Sequence, residues 1–84
     1  MMMVLTIRNM VNGENIDVEI RSDETTDELF KSSADMWGGD SLNMVIGKGT
    51  RMIRSGISIG NAELFDGDAV ELMPRVGAGH THIA

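Results

Sequence analysis

The segment 64–79, near the C-terminus, constrains the fold of this chain more than any other part of it. Asp66-Gly67-Asp68 predicts a tight turn, because glycine readily takes the positive φ that other residues resist. In the five residues that follow, Val70 and Leu72 share one face, as in a strand that is buried on one side. Pro74 then ends regular pairing, since proline has no N–H to donate. The segment therefore predicts a turn, a core strand and a slender terminus of small residues.

Two strands joined by a short turn open the chain. Apolar residues recur at every second position over residues 3–10 and again over residues 16–20, which is the period of a β-strand. Asn12-Gly13 lies between them and is a strong hairpin signal, because both residues tolerate positive φ. We therefore expect an antiparallel hairpin at the start of the domain.

A helix is predicted to follow the hairpin. Thr25 and Glu28 have the spacing of a capping box, in which each side chain binds the other residue's backbone amide. Gly38-Gly39 offers a residue with positive φ and so ends the helix, which makes this internal pair a cap. One apolar stripe at helical spacing comprises Leu29, Phe30, Ser33, Ala34 and Trp37. We interpret Trp37 as a core anchor, since a stacking platform for a cofactor would need polar or phosphate-binding neighbours.

Short strands and turns are predicted beyond the helix. Residues 42–46 alternate as a third strand, and residues 51–54 form a short edge strand that its arginines protect from further pairing. Between them, residues 47–50 lack the spacing of a phosphate-binding loop, so we interpret them as a hairpin turn. In the connection to the last strand, Ile59 and Leu64 are expected to enter the core.

Length and charge limit the class of protein. The chain has 84 residues, a net charge of −6 and no cysteine, so it predicts one small acidic domain without disulfides or thiolate sites. Its acidity disfavours nucleic acid and anionic membranes as partners. No apolar run approaches the roughly 20 residues of a membrane span, and the N-terminus lacks the features of a signal peptide. We therefore expect a monomeric cytoplasmic protein.

Catalytic and metal-binding patterns are missing from the sequence. Both histidines, His80 and His82, lie in the C-terminal tail, and the rest of the chain offers no acid–base pair and no triad. The two imidazoles would need further metal ligands, and there is no cysteine to supply them. We expect a protein that is not an enzyme, holds no cofactor or metal, and has a solvated tail.

Two hairpin strands, one crossover helix and a last strand after an Asp-Gly-Asp turn resemble the β-grasp, or ubiquitin-like, family. The segments that carry the resemblance are 18–23 before the helix, 44–48 at the third strand and 64–74 at the last strand. The last segment is similar to sulfur carriers of molybdopterin and thiamine synthesis and to archaeal ubiquitin-like modifiers. The resemblance implies an α+β fold with a mixed four- to five-stranded sheet and one helix packed across it. It implies a β-grasp domain over residues 1–76 and a flexible tail over residues 77–84.

The resemblance implies a function for the tail. In such modifiers a terminal Gly-Gly carboxylate is adenylated by an activating enzyme and then becomes a thioester or thiocarboxylate. This chain has Gly77, Ala78 and Gly79 where the two glycines are expected, followed by the extension 80–84. A processing protease that cuts after Gly79 would expose a Gly-Ala-Gly terminus. The first hypothesis is therefore a protein modifier or its precursor.

Two alternatives share the same fold. One is a sulfur carrier, which uses the same activation chemistry, although such carriers end at the glycines. The other is a noncovalent binding module that needs no reactive terminus. Alternation directs Val45 and Met73 away from the core, and with Met10 they would form an apolar patch near Arg8 and Lys48. Protein partners are expected to bind the sheet at this patch.

Overall fold

The computed structural model describes residues 2–38 and 44–75, which form one five-stranded sheet and one helix. The elements in chain order are β1 (Met2–Asn9), β2 (Asn15–Arg21), α1 (Asp27–Trp37), β3 (Met44–Lys48), β4 (Arg51–Met52) and β5 (Ala69–Pro74). The predicted tail, residues 77–84, lies outside the described residues.

The sheet is mixed and has the strand order β2-β1-β5-β3-β4. β1 and β5 lie side by side in the interior of the sheet and run parallel, whereas the β1–β2, β3–β5 and β3–β4 pairs are antiparallel. The last strand of the chain is therefore central. This arrangement, with one helix on one face, confirms the predicted α+β β-grasp fold.

The core lies between α1 and the inner face of the sheet, which is the face that carries the alternating buried residues. Ile59 and Leu64, from the connection between β4 and β5, are almost completely buried, as predicted. The buried apolar side chains are Met3, Leu5, Ile7, Ile20, Leu29, Ile46, Ile53, Ile59, Ala62, Leu64, Val70 and Leu72. Every described strand except the two-residue β4 contributes to this cluster.

The turn at residues 66–68 joins β5 to β1 as the sequence indicates. Gly67 has φ +87°, and its N–H donates to the Val4 carbonyl at 2.8 Å. A carboxylate oxygen of Asp66 accepts the Val4 N–H at 2.8 Å. The Asp68 carbonyl accepts the Thr6 N–H at 3.0 Å. The turn thus extends the hydrogen bonding between the two central strands.

The first hairpin is confirmed, but its turn differs from the prediction. β1 ends at Asn9, and only Gly13 takes positive φ in this loop, at +80°. Asn9 is buried, and its side-chain oxygen accepts the N–H groups of Val11 at 2.9 Å and Asn12 at 3.3 Å. The side-chain amide of Asn9 therefore organises the loop, in which Asn12 does not take the positive φ that the Asn12-Gly13 signal implies.

The predicted capping box is wrong. Thr25 is exposed and pairs with Ser58 in an isolated β-bridge, while the N-cap position belongs to Thr26. Thr26 has helical φ and ψ of −62° and −16° and makes no side-chain cap. Its buried hydroxyl instead donates to the Arg54 carbonyl, and its N–H donates to the Ile57 carbonyl at 2.8 Å. Tertiary pairing with residues 54–58 thus fixes the start of the helix.

The end of the helix agrees better with the sequence. Gly38 has φ +84°, and its N–H donates to the Ala34 carbonyl at 2.8 Å. Its ψ of −170° lies outside the left-handed helical region, in backbone space that glycine adopts easily. Trp37 packs half-buried against the core, and its indole N–H donates to a Glu14 carboxylate oxygen at 2.6 Å. Trp37 therefore also ties the helix to the first hairpin.

The boundaries of the next two strands also differ from the prediction. β3 continues through Gly47 and Lys48, so the turn consists of Gly49 and Thr50 alone. β4 ends at Met52, and the Ile53 N–H then donates to the Ile46 carbonyl at 2.8 Å. The shorter turn places Met52 directly opposite Gly47.

Candidate protein-interaction surface

The outer face of the sheet, opposite α1, carries an apolar patch. Val45 and Met73 are paired neighbours on β3 and β5. The Met10 N–H donates to the Leu72 carbonyl at 2.9 Å, which extends the pairing of β1 with β5 by one step and brings Met10 beside Met73. Met52 lies opposite Gly47 on the other side of the patch. We call Met10, Val45, Met52 and Met73 the outer-face patch.

Exposure within the outer-face patch is uneven. Met10 is 53% exposed and Met52 is 52% exposed, whereas Val45 and Met73 are half-buried. The two exposed methionines thus stand at the sides of the patch, and the two half-buried residues form its floor.

Gly47 gives the outer-face patch its continuity. A Cβ at this position would lie 3.3 Å from the Met73 methyl group, 3.7 Å from the Met52 sulfur and 3.2 Å from the Arg51 carbonyl oxygen. Because glycine has no side chain, the two methionines approach each other across the strand that separates their own strands.

The structure separates the two predicted cations of this surface. Arg8 is exposed on the outer face, where β1 pairs it with Glu71 of β5. Lys48, by contrast, has the alternation of the buried Ile46, and its ammonium group binds an Asp68 carboxylate oxygen at 2.9 Å. Arg8 therefore borders the outer-face patch, and Lys48 is held by its ion pair with Asp68.

Asp68 is the described carboxyl group with a distinctly altered acidity. Its hydrogen bond from Lys48 is the main cause that holds the pKa below the ordinary value of 3.8, and the Phe65 N–H bond acts in the same direction. Both partners stabilise the ionised carboxylate. Burial opposes the shift, because it disfavours the charged form.

We expect the ion pair to stabilise the folded chain above the ordinary aspartate pKa and to lose this effect in acid. Because the pKa of Asp68 is lowered in the folded state, the unfolded chain binds more protons than the folded chain below about pH 4. The free energy of unfolding therefore decreases as the pH is lowered through this range. Urea unfolding at several pH values measures the slope. In Asp68→Asn the slope below pH 4 should be shallower than in the parent chain. An unchanged slope would show that Asp68 contributes nothing to acid sensitivity.

Met52 is the patch residue that the sequence prediction missed. Its place on the outer face depends on the register of β3 with β4, and a turn over residues 47–50 gives a different register. A two-residue turn at Gly49-Thr50 would have paired Gly47 with Met52 and revealed the contact. Gly49 has φ +63°, which fits such a turn.

Gly77, Ala78 and Gly79, with His80 and His82, lie outside the described residues. Within residues 2–38 and 44–75, no group of three or more metal-ligating side chains comes together. In the same part of the chain, no helix is long and apolar enough to cross a membrane.

Comparisons with known proteins find similarity in structure alone. No family model matches the sequence, and no curated protein matches it. The crystal structure of the ubiquitin-like domain of Plasmodium falciparum Dsk2 is similar to this chain, with a TM-score of 0.77 and 19% identity. That match covers 89% of this chain and 100% of the other.

A protein designed on the basis of ubiquitin is similar to the same degree. It has a TM-score of 0.77 and 19% identity, and the match covers 88% of this chain and 89% of the other. At this level of identity the two similarities establish the fold. The chain has the ubiquitin-like β-grasp fold, and this fold alone does not determine its function.

Proposed function

We propose that this ubiquitin-like chain acts by binding protein partners through the outer-face patch. The observation that carries the proposal is the convergence of four apolar side chains from four separate places in the chain. One lies just after β1, and the others lie on β3, β4 and β5. Met10 and Met52 each leave more than half of their surface in water. Burying such surface against a partner is favourable.

The composition of the outer-face patch favours an apolar protein surface as the ligand. Three of its four members are methionines, whose unbranched side chains adapt to irregular surfaces. Arg8 and the exposed Arg75 lie near the border of the patch. A carboxylate at the edge of the partner's surface would bind one of these cations and so orient the complex. All four residues of the patch are apolar, so binding here depends on the burial of apolar surface.

Met73→Glu is expected to weaken partner binding at least about tenfold, since it places a charge in the apolar floor of the interface. The experiment captures partners from the native cells with immobilised protein, identifies them by mass spectrometry and measures their affinities with purified components. Phe65→Glu is the matched control, because Phe65 is 64% exposed and lies before β5, away from Met73. Equal losses in both variants, or none in Met73→Glu, would contradict the proposal.

A second candidate function is that of a protein modifier or its precursor, activated through the tail. It is supported by the course of β5, a central strand whose last residue, Pro74, pairs with Met44. Gly77, Ala78 and Gly79 begin three residues further on. The chain therefore passes from the outer-face patch to the glycine-containing segment within a few residues. An activating enzyme could bind both at once.

The modifier candidate is tested with the chain truncated after Gly79, its own activating enzyme and ATP. Pyrophosphate release and a thioester on the enzyme are expected from the truncated chain. The untruncated chain of 84 residues is the control, and it is expected to react only after cleavage behind Gly79. Thiocarboxylate formation without conjugation to lysine would support a sulfur carrier. Inactivity of both forms would leave the noncovalent function alone.

A further inference from the structure

Methionine supplies all the side-chain sulfur of this chain, which has eight methionines and no cysteine. Hydrogen peroxide oxidises a methionine thioether by transferring one oxygen atom to the sulfur. The O–O bond breaks, an S–O bond forms, and the peroxide is reduced to water. The product, methionine sulfoxide, is polar, whereas methionine is apolar. Oxidation therefore changes the chemistry of any apolar surface that methionine builds.

Exposure divides the methionines of residues 2–38 and 44–75 into three classes. Met3 is 4% exposed and belongs to the core, while Met44 and Met73 are half-buried. The more exposed class comprises Met2 at 55%, Met36 at 54%, Met10 at 53% and Met52 at 52%. Because oxidation follows exposure, these four side chains are expected to react first.

Two of the four exposed methionines flank the outer-face patch, and the other two lie elsewhere. Met10 and Met52 stand at the two sides of the patch. Met2 begins β1 and so lies at the opposite end of that strand from Met10, and Met36 lies on α1, on the other side of the sheet. The chain thus carries two oxidisable side chains at the patch and two matched ones away from it.

The packing around Gly47 makes the partner surface sensitive to oxidation of Met52. The Met52 sulfur would lie 3.7 Å, and the Met73 methyl group 3.3 Å, from a Cβ at Gly47. An oxygen atom on the Met52 sulfur is therefore a hydrogen-bond acceptor beside the floor of the patch. An apolar partner surface would remove water from this oxygen without replacing its hydrogen bonds, which opposes binding.

We propose that Met10 and Met52 form a reversible modification site, at which oxidation to methionine sulfoxide blocks partner binding to the outer-face patch. This inference rests on the proposed function, because it concerns the regulation of the same surface. Methionine sulfoxide reductases reverse the modification with electrons from a dithiol, which becomes a disulfide while the oxygen leaves as water. Both methionines lie outside the buried core, so the oxidised chain keeps its fold.

The binding experiment treats the purified full chain with hydrogen peroxide and locates each sulfoxide by mass spectrometry. The ligand is the purified partner used with Met73→Glu. Oxidation of Met10 and Met52 is expected to lower the affinity at least about tenfold. Reductases for both sulfoxide epimers, with dithiothreitol, should restore the affinity to within about twofold of its first value. Failure to restore it would assign the loss to irreversible damage and overturn the proposal.

Two double variants separate the patch methionines from the matched ones. The variant with Met2→Leu and Met36→Leu is expected to lose at least about tenfold in affinity on oxidation, as the parent chain does. The variant with Met10→Leu and Met52→Leu should stay within about twofold of its own affinity before treatment. Equal sensitivity to peroxide in both variants would contradict a site at Met10 and Met52.

A bound partner is expected to protect the modification site. At saturating partner, oxidation of Met10 and Met52 should slow at least about fivefold, because both sulfurs are covered, while oxidation of Met2 and Met36 keeps its rate. Equal rates at all four positions, with and without partner, would contradict the proposal.

Retention on a phenyl resin is a probe that requires no partner. Oxidation should reduce the retention of the variant with Met2→Leu and Met36→Leu more than that of the variant with Met10→Leu and Met52→Leu, because only the first loses apolar surface at the patch. Circular dichroism of the oxidised chain should match that of the parent chain. Loss of folded structure would assign the effect to the core and refute the modification site.

The failure of this inference differs from the failure of the proposed function. If Met73→Glu weakens partner binding and oxidation does not, the outer-face patch binds partners but the modification site is refuted. If neither change alters the affinity, the proposed function fails and this inference fails with it.

Discussion

Leu72→Ala is expected to lower the free energy of unfolding by about 3 kcal/mol, because it leaves a cavity in the middle of the core. Leu72 is 0% exposed and lies on β5, between β1 and β3. A domain of this size has a total stability of roughly 4–10 kcal/mol, so the loss would be a large fraction of it. Urea unfolding followed by circular dichroism measures the change.

Met73→Ala is the matched control for Leu72→Ala. The two residues are adjacent on β5 but point to opposite faces, and Met73 is only half-buried. Its substitution is expected to cost less than about 1 kcal/mol. If the two variants were equally destabilised, the assignment of the inner and outer faces of the central strand would be wrong.

Thr26→Val is expected to destabilise the fold by about 1–2 kcal/mol, because the partly buried hydrogen bond from the Thr26 hydroxyl to the Arg54 carbonyl would be lost. Thr26 is 0% exposed, and valine has nearly the same shape. The substitution therefore removes the hydroxyl while leaving the packing close to its original state. The same urea titration measures the difference.

Thr25→Val distinguishes the observed helix start from the predicted capping box. Thr25 is exposed, and its substitution is expected to change the free energy of unfolding by less than about 0.5 kcal/mol. A capping-box threonine would cost about 1 kcal/mol. A larger effect at Thr25 than at Thr26 would therefore favour the capping box and contradict the hydrogen bond to Arg54.

The fold was predictable because several local patterns agree with one another. Alternation identifies the strands, Gly38 ends the helix, and Gly67 fixes the turn that leads into β5. One error occurs where a distant residue decides a local structure. The Arg54 carbonyl accepts a hydrogen bond from the Thr26 hydroxyl, and no pattern in the sequence around Thr26 indicates this contact. The other error is local, because the Asn9 side chain accepts the N–H groups of residues two and three positions further on, an asparagine turn that the Asn12-Gly13 signal obscured.

The outer-face patch was predictable only in part. Val45 and Met73 follow from alternation, and the structure makes them paired neighbours. Met52 could not be placed without the register of the β3–β4 hairpin, which depends on one boundary of a short turn. Lys48 has the opposite alternation from Val45, and its partner Asp68 is twenty residues away in sequence. Pairing over such a distance is a property of the folded chain.

The most direct test of the account compares two forms of the protein for binding of the same purified partner. One form is truncated after Arg75 and lacks the whole tail, and the other is the full chain with Met73→Glu. The account predicts that the truncated form keeps its affinity within about twofold and that Met73→Glu loses at least about tenfold. Loss of binding in the truncated form, with unchanged binding by Met73→Glu, would contradict recognition through the outer-face patch.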